Sequence, residues 1–342
     1  MSKTSPYIYQ SNLSGVADDE PVRAFDEHPV HEGVKHSTDL PIATKVSPFA
    51  RRLQRSIAFG VVFIPFVGFI VAMLLGWKYG FGYIEVGLFV GMYIFTIGGV
   101  TVGYHRHFAH RAFKTSSRMR VILAIIGSMT AQGPIVFWVA VHRRHHVYSD
   151  QPEDPHSPNL HGSGLKGTLR GLWHGHIGWM FSDEQTSWIK FARDILQDRA
   201  LFRIHQQYFL WLGVGLAIPT VLGGLLYGSL TGAFYGFLWG GLVRIFCVNQ
   251  AMWCVGSICH YFGNRPYQTY DYSGNIWWVA FISFGEGLQN NHHAFPNSAR
   301  HGLAWWQPDF SGLIITALEA IGLIWDVRHP SERAMLAARR TT

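Results

Sequence analysis

Charge is scarce in this chain. Only 14% of its 342 residues are Asp, Glu, Lys or Arg, against about 25% in ordinary soluble domains, which argues against a water-soluble protein. Cysteine is scarce too: Cys247, Cys254 and Cys259 form no CxxC pair. That excludes a disulfide framework and a thiolate zinc site, and predicts reduced thiols packed in apolar surroundings. The formal charge is +7, suited to an anionic lipid surface or an acidic substrate. The bases are spread between apolar stretches without a recognition motif, so nucleic acid is not an expected partner. An apolar leader is also missing. Residues 1–48 are polar, with acids at Asp18, Asp19 and Glu20, and are expected to form a mobile tail. The tail's His28, His31 and His36 lie in a stretch broken by Pro and Gly and are not expected to bind a metal.

Long apolar runs are abundant. Four are long enough to cross about 30 Å of hydrocarbon: roughly 57–75, 81–102, 208–227 and 232–254. The links WKYG and GSLT are tight turns, so the runs pair into two hairpins, and both chain ends and the central loop share one side. The bases decide which side. The N-terminal segment holds 7 Lys or Arg, the central loop 13 and the C-terminal region 6, whereas the two turns hold only Lys78. By the positive-inside rule both termini are cytoplasmic, and a bacterial inner membrane is the expected location. The stretch Val121–Val141 is apolar but interrupted by Gln132, Gly133 and Pro134, which predicts an interfacial or re-entrant segment rather than a fifth span. The expected fold is an all-α membrane protein with four transmembrane helices in two hairpins and a cytosolic helical cap. Residues 49–328 would form the membrane domain and 329–342 a C-terminal tail.

Histidine is concentrated beside these runs. The clusters are HRHFAH (His105, His107, His110), HRRHH (His142, His145, His146) and QNNHH (His292, His293, with Gln289 in first place). Imidazole is the commonest side-chain metal ligand. In HRRHH the histidines stand at i, i+3 and i+4, one face of a helix, and Gln289, His292 and His293 repeat that spacing. His105 and His110 are five apart, about 140° around an ideal α-helix, so they converge only if the helix ends or bends there. His107 lies off both, and the i, i+2 pair His174 and His176 points to opposite faces, so none of these three is expected to ligate. The ligands outnumber the needs of one tetrahedral zinc, and a nitrogen-rich set with room for oxygen suits iron. Asp150, Asp154 and Glu286 flank the clusters and are placed to hydrogen-bond the remote ring nitrogens.

These motifs resemble the membrane fatty-acid desaturase family, in its acyl-CoA/acyl-lipid Δ9, stearoyl-CoA desaturase-like branch. GYHRHFAH, HRRHHVYSDQPEDPHSP and GEGLQNNHHAFPNSARHGLAWWQ carry the likeness, which covers roughly residues 50–325. The resemblance implies a cytosolic di-iron centre that uses O2 to convert a CH2–CH2 pair of an acyl-CoA or acyl-lipid into a cis double bond, Δ9 by the branch. Electrons would come from NAD(P)H through a separate carrier such as cytochrome b5, ferredoxin or a ferredoxin reductase-type protein; the HPGG signature of a fused cytochrome b5 is absent. The implied ligands are His105, His110, His142, His145, His146, His292 and His293. WCVGSICHYFGNRPY adds His260, otherwise a lone histidine after the fourth run. The chain departs from the family at two places. Gln289 stands where the animal enzymes have His, and Gly256 stands where an Asn is usual. Gln289 is expected to ligate weakly through its carbonyl oxygen or to hold a water.

A substrate tunnel is expected between the second and fourth runs, with Phe89 closing its far end and Arg244, the one base deep in a run, as a polar packing group near it. A related histidine-box hydroxylase or acetylenase is the alternative reading. A metal transporter would instead need polar ligands along the spans.

Overall fold

A computed structural model describes residues 40–340. The three N-terminal histidines lie outside the described residues. Among the described residues, four helices are long and apolar enough to cross a membrane: Pro48–Tyr79, Tyr83–Ala109, Tyr208–Tyr227 and Leu230–Ser257. The first begins nine residues before the apolar run. Ser47 caps it by accepting from the Ala50 amide (3.2 Å), with Pro48 in the first turn. Its basic start is held by Arg51 and Arg55, both 2.8 Å from Asp183, an anchor that hydropathy cannot register. The two outer turns are tied to each other, because Glu85 accepts from the Gly82 amide at 2.9 Å and from the Tyr227 hydroxyl at 2.5 Å.

Within their apolar windows, the second and fourth spans are 44% and 56% buried, against 22% and 17% for the first and third. The fourth span is therefore the centre of the bundle, and the other three pack on it. Small residues allow its close approach to the third span, as in other membrane helix pairs. A Cβ at Gly236 would lie 2.0 Å from the Pro219 carbonyl oxygen, whereas one at Gly213 would meet nothing within 4 Å. Gly236→Leu is accordingly expected to lower stability by about 1–3 kcal/mol through overpacking, with Gly213→Leu near neutral. Melting of the two variants in detergent measures the difference.

The interrupted apolar stretch folds as two short helices, Ser117–Ser128 and Ile135–Tyr148. Their linking tip reaches back among the spans. Non-helical backbone at membrane depth needs donors from the protein, and Arg244 supplies them. Its guanidinium donates to the carbonyls of Met129 (2.6 Å), Gly215 (2.8 Å) and Gly240 (3.1 Å). Gln132 Nε2 adds a bond to Asn249 Oδ1 at 2.7 Å, and the Gly133 amide donates to the Tyr208 hydroxyl at 3.2 Å.

Two small antiparallel pairs staple distant segments: Ala43–Lys45 with Glu184–Thr186, and Lys114–Thr115 with Ile324–Trp325. The end of the polar N-terminal segment is thus paired with the central loop. The C-terminal residues are engaged as well. Glu332–Ala337 is helical, and the Arg340 amide donates to Pro266 O at 3.0 Å.

Candidate metal centre

The first box lies on a widened helix. Gly99–Ala109 winds as a π-helix, and the His110 amide bonds the His105 carbonyl, an i→i+5 contact of 3.1 Å. One turn of such a helix takes more residues than an α-turn, so positions five apart come to one face. This answers the 140° problem posed by the spacing of His105 and His110.

The HRRHH helix, Ile135–Tyr148, and the short helix Gln289–Ala294 each divide their histidines between two positions. His105, His110, His142, His146 and His292 converge with ligand atoms within 4.8 Å of one another; His145, His260 and His293 form a second such group. In the first group the Nε2 atoms of His110 and His142 are 2.7 Å apart, and His292 Nε2 lies 3.0 Å from those of His105 and His146. Metal–imidazole bonds of about 2.0–2.1 Å hold neighbouring ligand nitrogens about 3 Å apart, so this spacing fits a cation at the centre. In the second group the buried Nε2 atoms of His260 and His293 have no protein partner. Both donor sets therefore fit bound metal.

Acids fix the rings from behind. His105 Nδ1 is held by Glu286, His145 Nδ1 donates to Asp154 at 2.9 Å, and His260 Nδ1 to Asp150 at 3.1 Å. Each of the three flanking acids thus pairs with one histidine and leaves Nε2 facing the metal position. A fourth acid, Asp271, takes His293 Nδ1 at 2.5 Å; its separation from the box in sequence concealed it. Burial opposes ionisation of Asp154, but the adjacent His145 brings its carboxyl down to about 2. Glu286 is pressed inward between two glycines. Gly285 has φ 111, and a Cβ there would lie 2.3 Å from Asp309. Arg106, fully buried, bridges Glu286 (3.2 Å) and Asp309 (2.8 Å).

Burial, and then the neighbouring histidines or arginines, holds His110, His142, His146 and His292 well below the ordinary imidazole range. They are neutral and ready to ligate at neutral pH. The unfolded chain takes up protons near pH 6.5 where these folded rings do not, so stability of the metal-free protein falls as pH drops below about 6.5. Burial also opposes charge on His260, but Asp150 raises it overall, one ring acting with opposite sign against these four. Melting of the chelated protein between pH 8 and pH 5 checks this; a flat profile would contradict it.

Sequence reasoning missed two further histidines. His301 is buried with neither ring nitrogen hydrogen-bonded, its Nδ1 3.7 Å from Glu286 and its ring 4.4 Å from that of His292, and it is grouped with His105 and Glu286. His156 stacks on His145 at 4.3 Å and packs beside Gly256. Both lie within quoted strings, but outside the i, i+3, i+4 spacing that drew attention to the boxes. His107 is turned to Phe113, and His176 to Ser257 and Gln250, away from both groups; the His174 ring is 4.4 Å from that of His161.

The cavity beside the site has a volume of about 120 Å³. Gln289 and Gly256 both line it, as do His145 of the three-histidine group and His105 and His142 of the larger one, and Gln289 Oε1 is unpartnered. Both departures from the usual pattern therefore fall on the same side of the site. Trp138, Trp179, Trp253 and Met252 supply much of the apolar wall. Phe89 is not part of that wall; it packs in an apolar cluster with Leu238, Trp239 and Val243.

The sequence pattern described as fatty acid desaturase matches residues 81–309. A hex-5-enoyl-[acyl-carrier protein] acetylenase from Moorena producens is 50% identical over 279 residues, 81% of this chain and 87% of the relative. An sn-1 stearoyl-lipid 9-desaturase from Synechocystis sp. is 36% identical over 269 residues, 78% and 79% of the two chains. Delta-9 acyl-lipid desaturase 1 from Arabidopsis thaliana is 36% identical over 284 residues, 82% and 86%. This chain is an enzyme of fatty acyl oxidation and belongs to the fatty acid desaturase family.

Proposed function

We propose that the protein converts a CH2–CH2 pair of a fatty acyl chain into a cis double bond at a di-iron centre. One iron would be held by His105, His110, His142, His146 and His292, the other by His145, His260 and His293, with Gln289 ligating weakly or holding a water. The observation that carries this reading is the pair of histidine groups opening onto one apolar cavity. When bound, iron and O2 supply the oxidising power that no side chain has. The balance is one CH2–CH2 pair, one O2, two electrons and two protons giving one CH=CH and two waters. The electrons arrive through a separate carrier, of cytochrome b5, ferredoxin or ferredoxin reductase type. Asp150, Asp154, Asp271 and Glu286 keep the imidazole protons on Nδ1 and the free nitrogens turned inward. The tryptophan-lined wall excludes water and holds the carbon pair in reach, which is the positional part of catalysis. The base-rich faces favour a site on the cytoplasmic side of the membrane.

The position of the new bond depends on how deeply the chain enters. Δ9 is the position named for the acyl-lipid relatives, whereas the acetylenase relative is named for a six-carbon chain on an acyl carrier protein. The higher identity to the acetylenase, 50% against 36%, favours a second reading, in which the same site takes an alkene to an alkyne. Expression in a host lacking unsaturated fatty acids, with supplied donor and mass-spectrometric location of the product bond, tests both. An alkene supports the first reading and an alkyne the second. A hydroxyl product, or no product despite iron loading, would overturn them.

A further inference from the structure

The cavity is small. Its 120 Å³ is less than the cavity of about 150 Å³ that holds one benzene ring, six carbons. An eighteen-carbon chain would have to continue past Gln132, which lines the cavity on the tip of the re-entrant hairpin. The way onward is barred by polar contacts. Gln132 Nε2 donates to Asn249 Oδ1 at 2.7 Å, and Asn249 is buried on the fourth span one turn from the cavity-lining Met252 and Trp253. Beyond that amide pair, Arg244 ties the same tip to the third and fourth spans through the carbonyls of Met129 and Gly215. A methylene chain threaded between tip and span would separate this part-buried pair and offer the buried Asn249 nothing in exchange, which is the costly way to break a hydrogen bond. Phe89, in its separate cluster, contributes nothing to this closure.

We propose that the enzyme takes a short acyl chain, no more than about six carbons long, whose methyl end meets the Gln132–Asn249 pair, so that the oxidised carbons lie near the end of the chain. The proposal rests on the acyl-oxidation reading above but concerns length alone. Gln132 and Asn249 set the length limit, and Met252 shapes the space beneath them.

The test uses N-acetylcysteamine thioesters of six-, twelve- and eighteen-carbon saturated acids with the iron-loaded protein in lipid nanodiscs. Binding is read by quenching of the tryptophans in the cavity wall, and turnover by mass spectrometry with a chemical reductant and O2. The six-carbon thioester is expected to bind at least about tenfold more tightly than the eighteen-carbon one, or about 1.4 kcal/mol, and to be the one oxidised. Asn249→Ala should admit the twelve-carbon chain, and Met252→Ala provides a second opening should the first variant not fold. Equal or preferred binding of the eighteen-carbon thioester by the wild type would overturn the proposal, and its oxidation would still support the desaturase reading. Selective binding of the six-carbon chain with no oxidation of any chain would keep the length limit and count against that reading.

Discussion

His260→Ala is expected to leave a folded membrane protein that retains about one metal ion per chain and loses activity by more than the ten- to hundredfold typical of removing a group behind a ligand. The reason is the inequality of the two histidine groups. Five imidazoles converge on one position and three on the other, so the smaller group has no ligand to spare. Gln289, Gly256 and His156 line the cavity beside His145 of this group, but none of the three belongs to the converging set itself. His260 is fully buried, held by Asp150, and its Nε2 has no other partner. Metal analysis of the purified variant measures the loss. His176→Ala is the control, since its ring bonds Ser257 and Gln250 instead, and it should keep full metal content. Gln289→His should act in the opposite direction, slowing loss of the weaker metal to chelator. Full metal occupancy in His260→Ala would remove this residue from the ligand set.

Arg106→Met is expected to destabilise the protein by about 3–5 kcal/mol, the usual effect of stripping one partner from a buried ion pair. That is a large share of a total stability of about 5–15 kcal/mol. The guanidinium is fully buried and donates to the Ala299 carbonyl (2.8 Å), Glu286 (3.2 Å) and Asp309 (2.8 Å). Without it two carboxylates remain in the interior, one of them holding His105. Asp309 also accepts from the amides of His301, Gly302 and Gly312, so the loop that follows the third box would loosen with it. Arg106→Lys keeps the charge but not the planar fork and should recover part of the stability. Melting temperature and yield of the three proteins in detergent are the measurements. A Met variant as stable as the wild type would show that the acids need no counter-charge.

Much of this architecture was legible because it is periodic or compositional. Four apolar runs gave four spans, and i, i+3, i+4 spacing brought His142, His145, His146, His292 and His293 to the site. What escaped depends on local geometry that has no period. The π-winding of Gly99–Ala109 makes partners of His105 and His110, which α-helical arithmetic separates. The first span runs below the apolar boundary because Arg51 and Arg55 find Asp183, an ion pair between segments far apart in sequence. Asp271, His156 and His301 reach the centre only through loop folding. His260 was visible through family resemblance alone. Arg106 is one of the thirteen central-loop bases that count toward orientation, and only the folded chain places it, fully buried, between Glu286 and Asp309. Arg244 was marked by its depth in an apolar run, but two of the carbonyls it serves, Met129 on the hairpin tip and Gly215 on the third span, are brought near only by the folded chain.

The proposed function requires two iron ions in unequal surroundings on one chain, one with five imidazoles and one with three. Mössbauer spectroscopy of the protein loaded with iron-57 and reduced tests it most directly. Two irons per chain and two distinct ferrous quadrupole doublets of equal area are expected, of which only the one from the three-histidine position shifts in Gln289→His. A single iron per chain, or one doublet that Gln289→His leaves unchanged, would contradict it.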